Sequence, residues 1–392
     1  MKQKTFDFSL ILFIFIASFL MTVLMQSVIT RYFYDIYNPN YYLYQALLYC
    51  LAGFNIIKNR REIRTGRYIR LFWAFSILCF FLSFIRLDVI NARSIIAVFF
   101  NTFIIPLAFL NGIWLGGRLS FLKDRDWYLL LLQIPAFYSM FQLLGYIRYG
   151  NWYDPDVAFC IIVFFPLLFL FKRNWIIILL TFLYVVFTLN SAKRSIFIFV
   201  VISLIIYFIY LLLFNSNRNV RSFINKILAI IILVGGLFFV VTSENSGLSH
   251  MLERAEMRGG MTYDNDREVL YGNISSAVLN SDFVRLFCGH GHMAVKRDFD
   301  ISAHNDFLEI AYDYGIIASA LYFFIMLWFI KIALSDFYHK HYESAMRLGI
   351  GISSIIILGM LNCIVTNTFL EYSMFLTLGC VIGTKDENSI QQ

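Results

Sequence analysis

The sequence predicts an all-α polytopic membrane protein, with about twelve transmembrane helices and one long polar loop on the outer side that contains short helices. Three observations carry that expectation. Apolar residues make up 60% of the chain and charged ones 15%, whereas soluble domains hold about 45–50% and about 25%. The apolar residues fall in blocks near the roughly 20 residues that cross a bilayer core. A single long polar segment, 243–306, interrupts them late in the chain.

The first block, 8–29, follows Lys2 and Lys4 as a signal peptide would. It exceeds the roughly 7–15 apolar residues of a cleavable signal and no small-x-small site follows, so a retained first span is expected. Further spans are expected near 41–57, 69–87, 94–116, 127–145, 156–171, 174–189, 195–214 and 224–242. After the polar segment come 307–330, 345–365 and 367–383. The chain thus divides into helices one to nine over 1–242, an outer loop over 243–306, helices ten to twelve over 307–383, and a tail over 384–392. Several neighbouring blocks are so close that ten or eleven spans also fit.

The loops orient these spans. With the N-terminus inside, twenty of the 32 Lys and Arg fall on the inner side, six of them in KNRREIRTGRYIR at 58–70. Half of the remaining twelve lie in the long outer loop. Short outer loops poor in positive charge are what the positive-inside rule requires, and both termini are then cytoplasmic. The net charge of +7 is mostly orientation signal, so nucleic-acid binding is not needed to explain it. Trp73, Trp114, Trp127, Trp152 and Trp175 stand near span ends, as interfacial tryptophans do. The six cysteines show no paired spacing, and only Cys288 lies in a polar loop, so no disulfide framework is expected.

Within the outer loop, LSHMLERAEM and REVLYGNISSAVLN have helical character, and Ser302 is a candidate cap for a helix beginning at Ala303. Polar chemistry gathers at the loop's end, in CGHGHMAVKRDFDISAHNDFLEIAYDYG at 288–315. His290, His292 and His304 invite a zinc reading, but no HExxH or CxxC accompanies them. His304, at the mouth of a membrane helix, has the residue type of a general base for a hydroxyl, and equally of a structural interfacial histidine. Lys193 and Arg194, in a tight outer turn, fit either snorkelling to headgroups or an anion site at the next helix N-terminus. Arg254, Arg258, Arg267, Arg285, Lys296 and Arg297 fit a solvated face or pairing with nearby acids. D-x-D pairs at 124–126, 154–156, 264–266 and 298–300 are what loops hold by chance, and there is neither a Walker A motif nor a dinucleotide fingerprint.

In order along the chain, NSAKRS at 190–195, YDNDREVLYG at 263–272, GHG at 289–291 and HNDFLEIAYDYG at 304–315 resemble the bacterial O-antigen polymerase and O-antigen ligase superfamily. The likeness covers the topology of the whole chain, and in residues chiefly 190–318. It implies transfer of glycan from an undecaprenyl-pyrophosphate carrier to an acceptor hydroxyl on the outer face of the bacterial cytoplasmic membrane, without nucleotide or metal. The resemblance makes His304 the base, with Arg194 and Arg267 on the pyrophosphate leaving group, where guanidinium can bind two oxygens at once. Lys193 and Arg254 would assist, Asn305 would orient the acceptor, and Gly289 and Gly291 would let the backbone turn beneath the sugars. The partners implied are the lipid-linked oligosaccharide, membrane lipids, and a chain-length regulator and flippase of the same pathway.

Ligases of this class continue with G-x-x-G and Thr-Pro, whereas this chain has GIIAS at 315–319, with Ala318 in place of the second glycine. That departure favours the polymerase, of O-antigen, capsule or exopolysaccharide. Two other readings remain beside it. One is a transporter, which would call for repeated halves or intramembrane charges, and Glu309, Asp313 and Glu371 near span ends are the candidates for the latter. The other is a polyprenyl-phosphate-sugar transferase using Asp35, which also fits a simple loop pair with Arg31.

Overall fold

The computed structural model describes residues 7–34, 40–63, 68–84, 92–148, 155–190, 194–214, 265–361 and 367–384. Over these residues the chain is all-α. Before the outer loop come α1 (Phe8–Tyr34), α2 (Tyr41–Asn59), α3 (Tyr68–Leu82), α4 (Ala92–Ser120), α5 (Arg125–Leu132), α6 (Ile134–Arg148), α7 (Pro155–Ile162), a 3-10 helix (Phe165–Leu170), α8 (Asn174–Asn190) and α9 (Arg194–Ile209). After it come α10 (Asn265–Leu279), α11 (Phe283–Cys288), α12 (Ala294–Phe299), α13 (Asp306–Tyr338), α14 (Tyr342–Leu361) and α15 (Thr368–Gly383).

Among the described residues five helical stretches are long and apolar enough to cross a membrane: Phe8–Ser27, Val98–Ser120, Ser195–Phe214, Asp306–Tyr338 and Tyr342–Leu361. Ile69–Leu82, Val157–Leu170, Asn174–Thr188 and Phe369–Gly383 are apolar but shorter. This is the architecture of an all-α membrane protein. The block expected at 224–242 and the helix expected at LSHMLERAEM lie outside the described residues, whereas REVLYGNISSAVLN is helical, as α10.

Two expected spans are broken, each beside a proline. The block 127–145 is two helices meeting at Gln133. Pro135 has no N–H for the carbonyl of Leu131, and the Ser18 hydroxyl on α1 donates to that carbonyl instead, at 3.0 Å. The block 156–171 is α7 followed by the 3-10 helix, with Pro166 in the first turn of the latter.

The core is tightest between α4 and α15. Gly112 and Gly116 of α4 face Gly379 and Gly383 of α15, and a Cβ on any of the four would collide with a backbone carbonyl of the opposite helix. Two GxxxG faces thus bring the helix backbones together, as small residues do between membrane helices. Beside them Phe72, Phe109, Phe329 and Phe375 from α3, α4, α13 and α15 form one aromatic cluster. The loop has a small core of its own, in which Ile274 and Val278 of α10 meet Ala294 and Val295 of α12, Ala303 and Tyr312.

Candidate functional site

Helix α13 is not one rod. Gly315 has φ 81° and ψ 170°, which is not helical. Along a straight helix Phe307 and Ser319 would stand about 18 Å apart at 1.5 Å per residue. Instead the Ser319 hydroxyl donates to the Phe307 carbonyl at 3.2 Å, and the Phe307 ring lies 5.3 Å from that of Tyr322. The arm 306–314 therefore folds back beside the arm 316–338, with Gly315 as the hinge. The single helix expected over 307–330 is thus two arms that meet at Gly315.

A helix break frees carbonyls, and the glycine-rich turn takes them. The N–H groups of His290 and Gly291 donate to the carbonyls of Tyr312 and Asp313, each at 2.9 Å. In an unbroken helix those carbonyls would accept from residues 316 and 317. Gly289 and Gly291 have φ of 79° and 95°, a region that only glycine enters without strain. Gly289 also lies directly against the Asp313 carbonyl and the Gly315 nitrogen, so these glycines serve the packing of the hinge.

The two histidines of GHGH brace the same hinge. The His290 ring stacks on Tyr312 at 4.1 Å and 6°, with Nδ1 3.1 Å from the Tyr312 carbonyl. The Tyr312 hydroxyl donates to Asp298 at 3.0 Å, and Arg297 pairs with the same carboxylate at 2.9 Å. His292 Nδ1 stands 2.6 Å from the Tyr314 hydroxyl, while Nε2 faces the Asn101 carboxamide at 3.5 Å. Enclosure lowers the pKa of His292 to about 4, so the ring is neutral and accepts from Tyr314. The two rings thus turn to different tyrosines. Among the described residues no three His, Cys, Asp or Glu side chains are grouped as metal ligands.

His304 is held from both sides. The N–H of Ala303 donates to Glu309 Oε2 at 2.6 Å, and the Tyr271 hydroxyl donates to the His304 carbonyl at 3.1 Å. Its φ of 53° is left-handed, uncommon for a residue with a side chain, and strain of this kind clusters at functional sites. Asn305 follows as the N-cap of α13, its side-chain oxygen accepting from the N–H groups of Phe307 and Leu308 at 3.0 and 3.3 Å. Two expectations change here. Asn305 caps the helix in place of Ser302, and His304 lies just ahead of the first turn. The oxygen of Asn305 is engaged in capping.

Arg267 lies in the first turn of α10, one helical turn before Tyr271. The hydroxyl contact therefore ties the backbone carrying Arg267 to that of His304. Arg194 is the first residue of α9, at the N-terminus of an apolar helix as expected. Of Arg194 and Arg267 only the backbone is described, and Lys193 and Arg254 lie outside the described residues.

The site also holds acids whose role is not apparent from the sequence. Asp306, Glu309 and Asp313, at i, i+3 and i+7, form one face of the first arm of α13, and all three are buried. Asp313 accepts from the Val295 N–H at 2.9 Å, at the start of α12, and Asp306 packs against Gly359 of α14. Glu371 of α15, also buried, neighbours Asp306, and neither of its oxygens has a hydrogen-bond partner among the described residues. The helical spacing of the first three in an apolar segment is a readable signal, whereas nothing in the sequence joins Glu371 to them. The chain matches no protein-family model and none of the curated proteins.

Proposed function

We propose that this protein is a membrane glycosyltransferase, a polysaccharide polymerase that joins lipid-linked repeat units on the outer face of the bacterial cytoplasmic membrane. The proposal includes about twelve spans, cytoplasmic termini, and the loop 243–306 on the outer side. The observation that carries it is the setting of His304: a left-handed residue at the mouth of α13, tied through Tyr271 to the helix bearing Arg267.

In the proposed reaction His304 removes the proton from an acceptor hydroxyl. The oxygen attacks the anomeric carbon of the donor, the bond from that carbon to the pyrophosphate oxygen breaks, and the configuration inverts. The electron pair leaves on undecaprenyl pyrophosphate, whose charge Arg267 and Arg194 stabilise. The energy comes from the glycosyl-pyrophosphate bond, so the step calls for no nucleotide or metal. Loss of the base is expected to lower the rate by about 10²–10⁴, and loss of one arginine by about 10²–10³, as for other groups that stabilise developing charge.

The test is a length assay. Purified protein receives lipid-linked repeat units alone, beside His304→Ala at equal membrane levels. A ladder that needs His304 is expected. Transfer only when lipid A–core is supplied would make the protein a ligase, and full activity in His304→Ala would remove the base.

One observation favours a second reading. A folded-back arm with a buried acidic face is the type of broken helix on which ion-coupled transporters build their sites. A protein that moves a lipid-linked substrate without forming any new glycosidic bond would establish that reading over the first.

A further inference from the structure

The loop presents apolar side chains away from its own core. In α11 Phe283 is 77% exposed and Val284 59%, and Leu279 at the end of α10 is 76% exposed. The Phe283 and Phe287 rings pack together at 4.7 Å, so Phe283 is fixed where it stands.

The height of this patch follows from the hinge. From Ile316 to Ile330 the second arm of α13 holds no Asp, Glu, Lys, Arg or His. At 1.5 Å per residue that stretch is about 22 Å long, most of the roughly 30 Å of a hydrocarbon core. Gly315 therefore stands close to the level where this arm enters the hydrocarbon. Helix α11 ends against it, since a Cβ on Gly315 would meet the Phe287 carbonyl and the Cys288 nitrogen. Six helical residues extend only about 8 Å, and the headgroup zone of each leaflet is roughly 5–8 Å deep. Whichever way α11 points, Phe283 and Val284 stay in or beside that zone. The patch also lies at the level of lipid-facing surface on the second arm, where Ile317 is 49% exposed and Ala320, Phe324 and Leu327 continue at helical spacing. Arg285, exposed beside the patch, pairs with Asp282 at 3.4 Å.

We propose that α11 and the end of α10 form a lipid-contacting foot, with Leu279, Phe283 and Val284 seated at the headgroup–acyl boundary of the leaflet into which α13 crosses. The occupant of this face is the bilayer itself. The foot holds the turn 289–291 near the membrane plane, where the lipid-linked donor of the proposed function presents its pyrophosphate. It rests on that reading only for its purpose; the contact follows from the membrane helices alone.

The test places photoreactive p-benzoylphenylalanine at 279, 283 or 284 of the full chain in phospholipid nanodiscs, with positions 296 and 300, exposed on the same loop, as controls. After irradiation, adducts of phospholipid mass are expected at 283 and 284 in several-fold higher yield than at the controls. Equal yields at all positions would overturn the proposal. So would adducts in native membranes to another protein in place of lipid. Neither readout depends on catalysis. Lipid adducts on a protein that makes no ladder would remove the proposed function and leave the foot, and a ladder without adducts would do the reverse.

Discussion

Gly289 and Gly315 interlock across the hinge of α13, each packed where backbone of the other's segment leaves no room for a Cβ. A Cβ on Gly289 would stand 2.6 Å from the Gly315 nitrogen, and one on Gly315 would stand 2.7 Å from the Cys288 nitrogen. Both glycines also have positive φ with ψ near 180°, a region essentially reserved for glycine. At the hinge the loop and the helix are therefore joined through backbone, beside the side-chain contacts of His290, His292 and Asp313.

Alanine at either glycine should destabilise the protein by about 3 kcal/mol or more, from strain and overpacking together. Gly272 in α10, where a Cβ would meet nothing within 4 Å, is the control, and there alanine should be neutral or gain about 0.5–1 kcal/mol. Thermal unfolding in detergent compares the three. Equal behaviour of Gly315→Ala and Gly272→Ala would refute the interlock.

Tyr271→Phe removes one hydroxyl, the group that donates to the His304 carbonyl. A single hydrogen bond contributes about 1 kcal/mol, or roughly fivefold in a population. The expected result is a several-fold lower turnover with unchanged membrane levels, against the far larger loss in His304→Ala. A purely structural tyrosine would lower the amount of folded protein and leave turnover per molecule intact.

His292 gives a pH dependence whose sign is fixed. Its pKa is about 4 in the folded chain, below the ordinary value of 6.5, so folding favours the neutral ring. The stability it contributes is fully present above pH 6.5 and is lost as pH falls through 4. Wild type should lose more thermal stability between pH 7 and 4.5 than His292→Gln, whose side-chain oxygen can still accept from Tyr314. Parallel curves for the two proteins would show that His292 is not enclosed.

Much of this is legible in the residues. Apolar block length identifies most of the helices, and REVLYGNISSAVLN is helical as its spacing predicts. The stretch 288–315 stands out because polar residues and glycines gather there. Its fold does not follow, because a chain reversal at Gly315 leaves the apolar pattern unchanged: 306–338 reads as one hydrophobic run whether straight or doubled back. The cap differs from the expected one for a local reason. Ser302 and Asn305 are both capping types, and the choice between them comes from the Glu309 contact to Ala303, which holds that residue out of the helix. The face-to-face pairing of Gly112 and Gly116 with Gly379 and Gly383 is a long-range fact that one sequence does not announce.

Glu371 distinguishes the two functional readings. It lies fully buried in the first turn of α15, near Asp306, with no hydrogen-bond partner for either oxygen among the described residues. A helix N-terminus favours negative charge only modestly, by about 0.3–1 kcal/mol, whereas burying a charged carboxylate without a partner costs several times that. Glutamine has nearly the same shape and no charge, so Glu371→Gln should melt at the wild-type temperature or above it. If the chemistry centres on His304 and the arginines, the same variant should also form the full glycan ladder, because Glu371 is sealed from an acceptor at the loop. An ion-coupled transporter built on the acidic face of the first arm would instead keep its stability and lose transport. A stable Glu371→Gln protein that no longer extends glycan would place the carboxyl in the transfer machinery and overturn the assignment of His304 as the sole base.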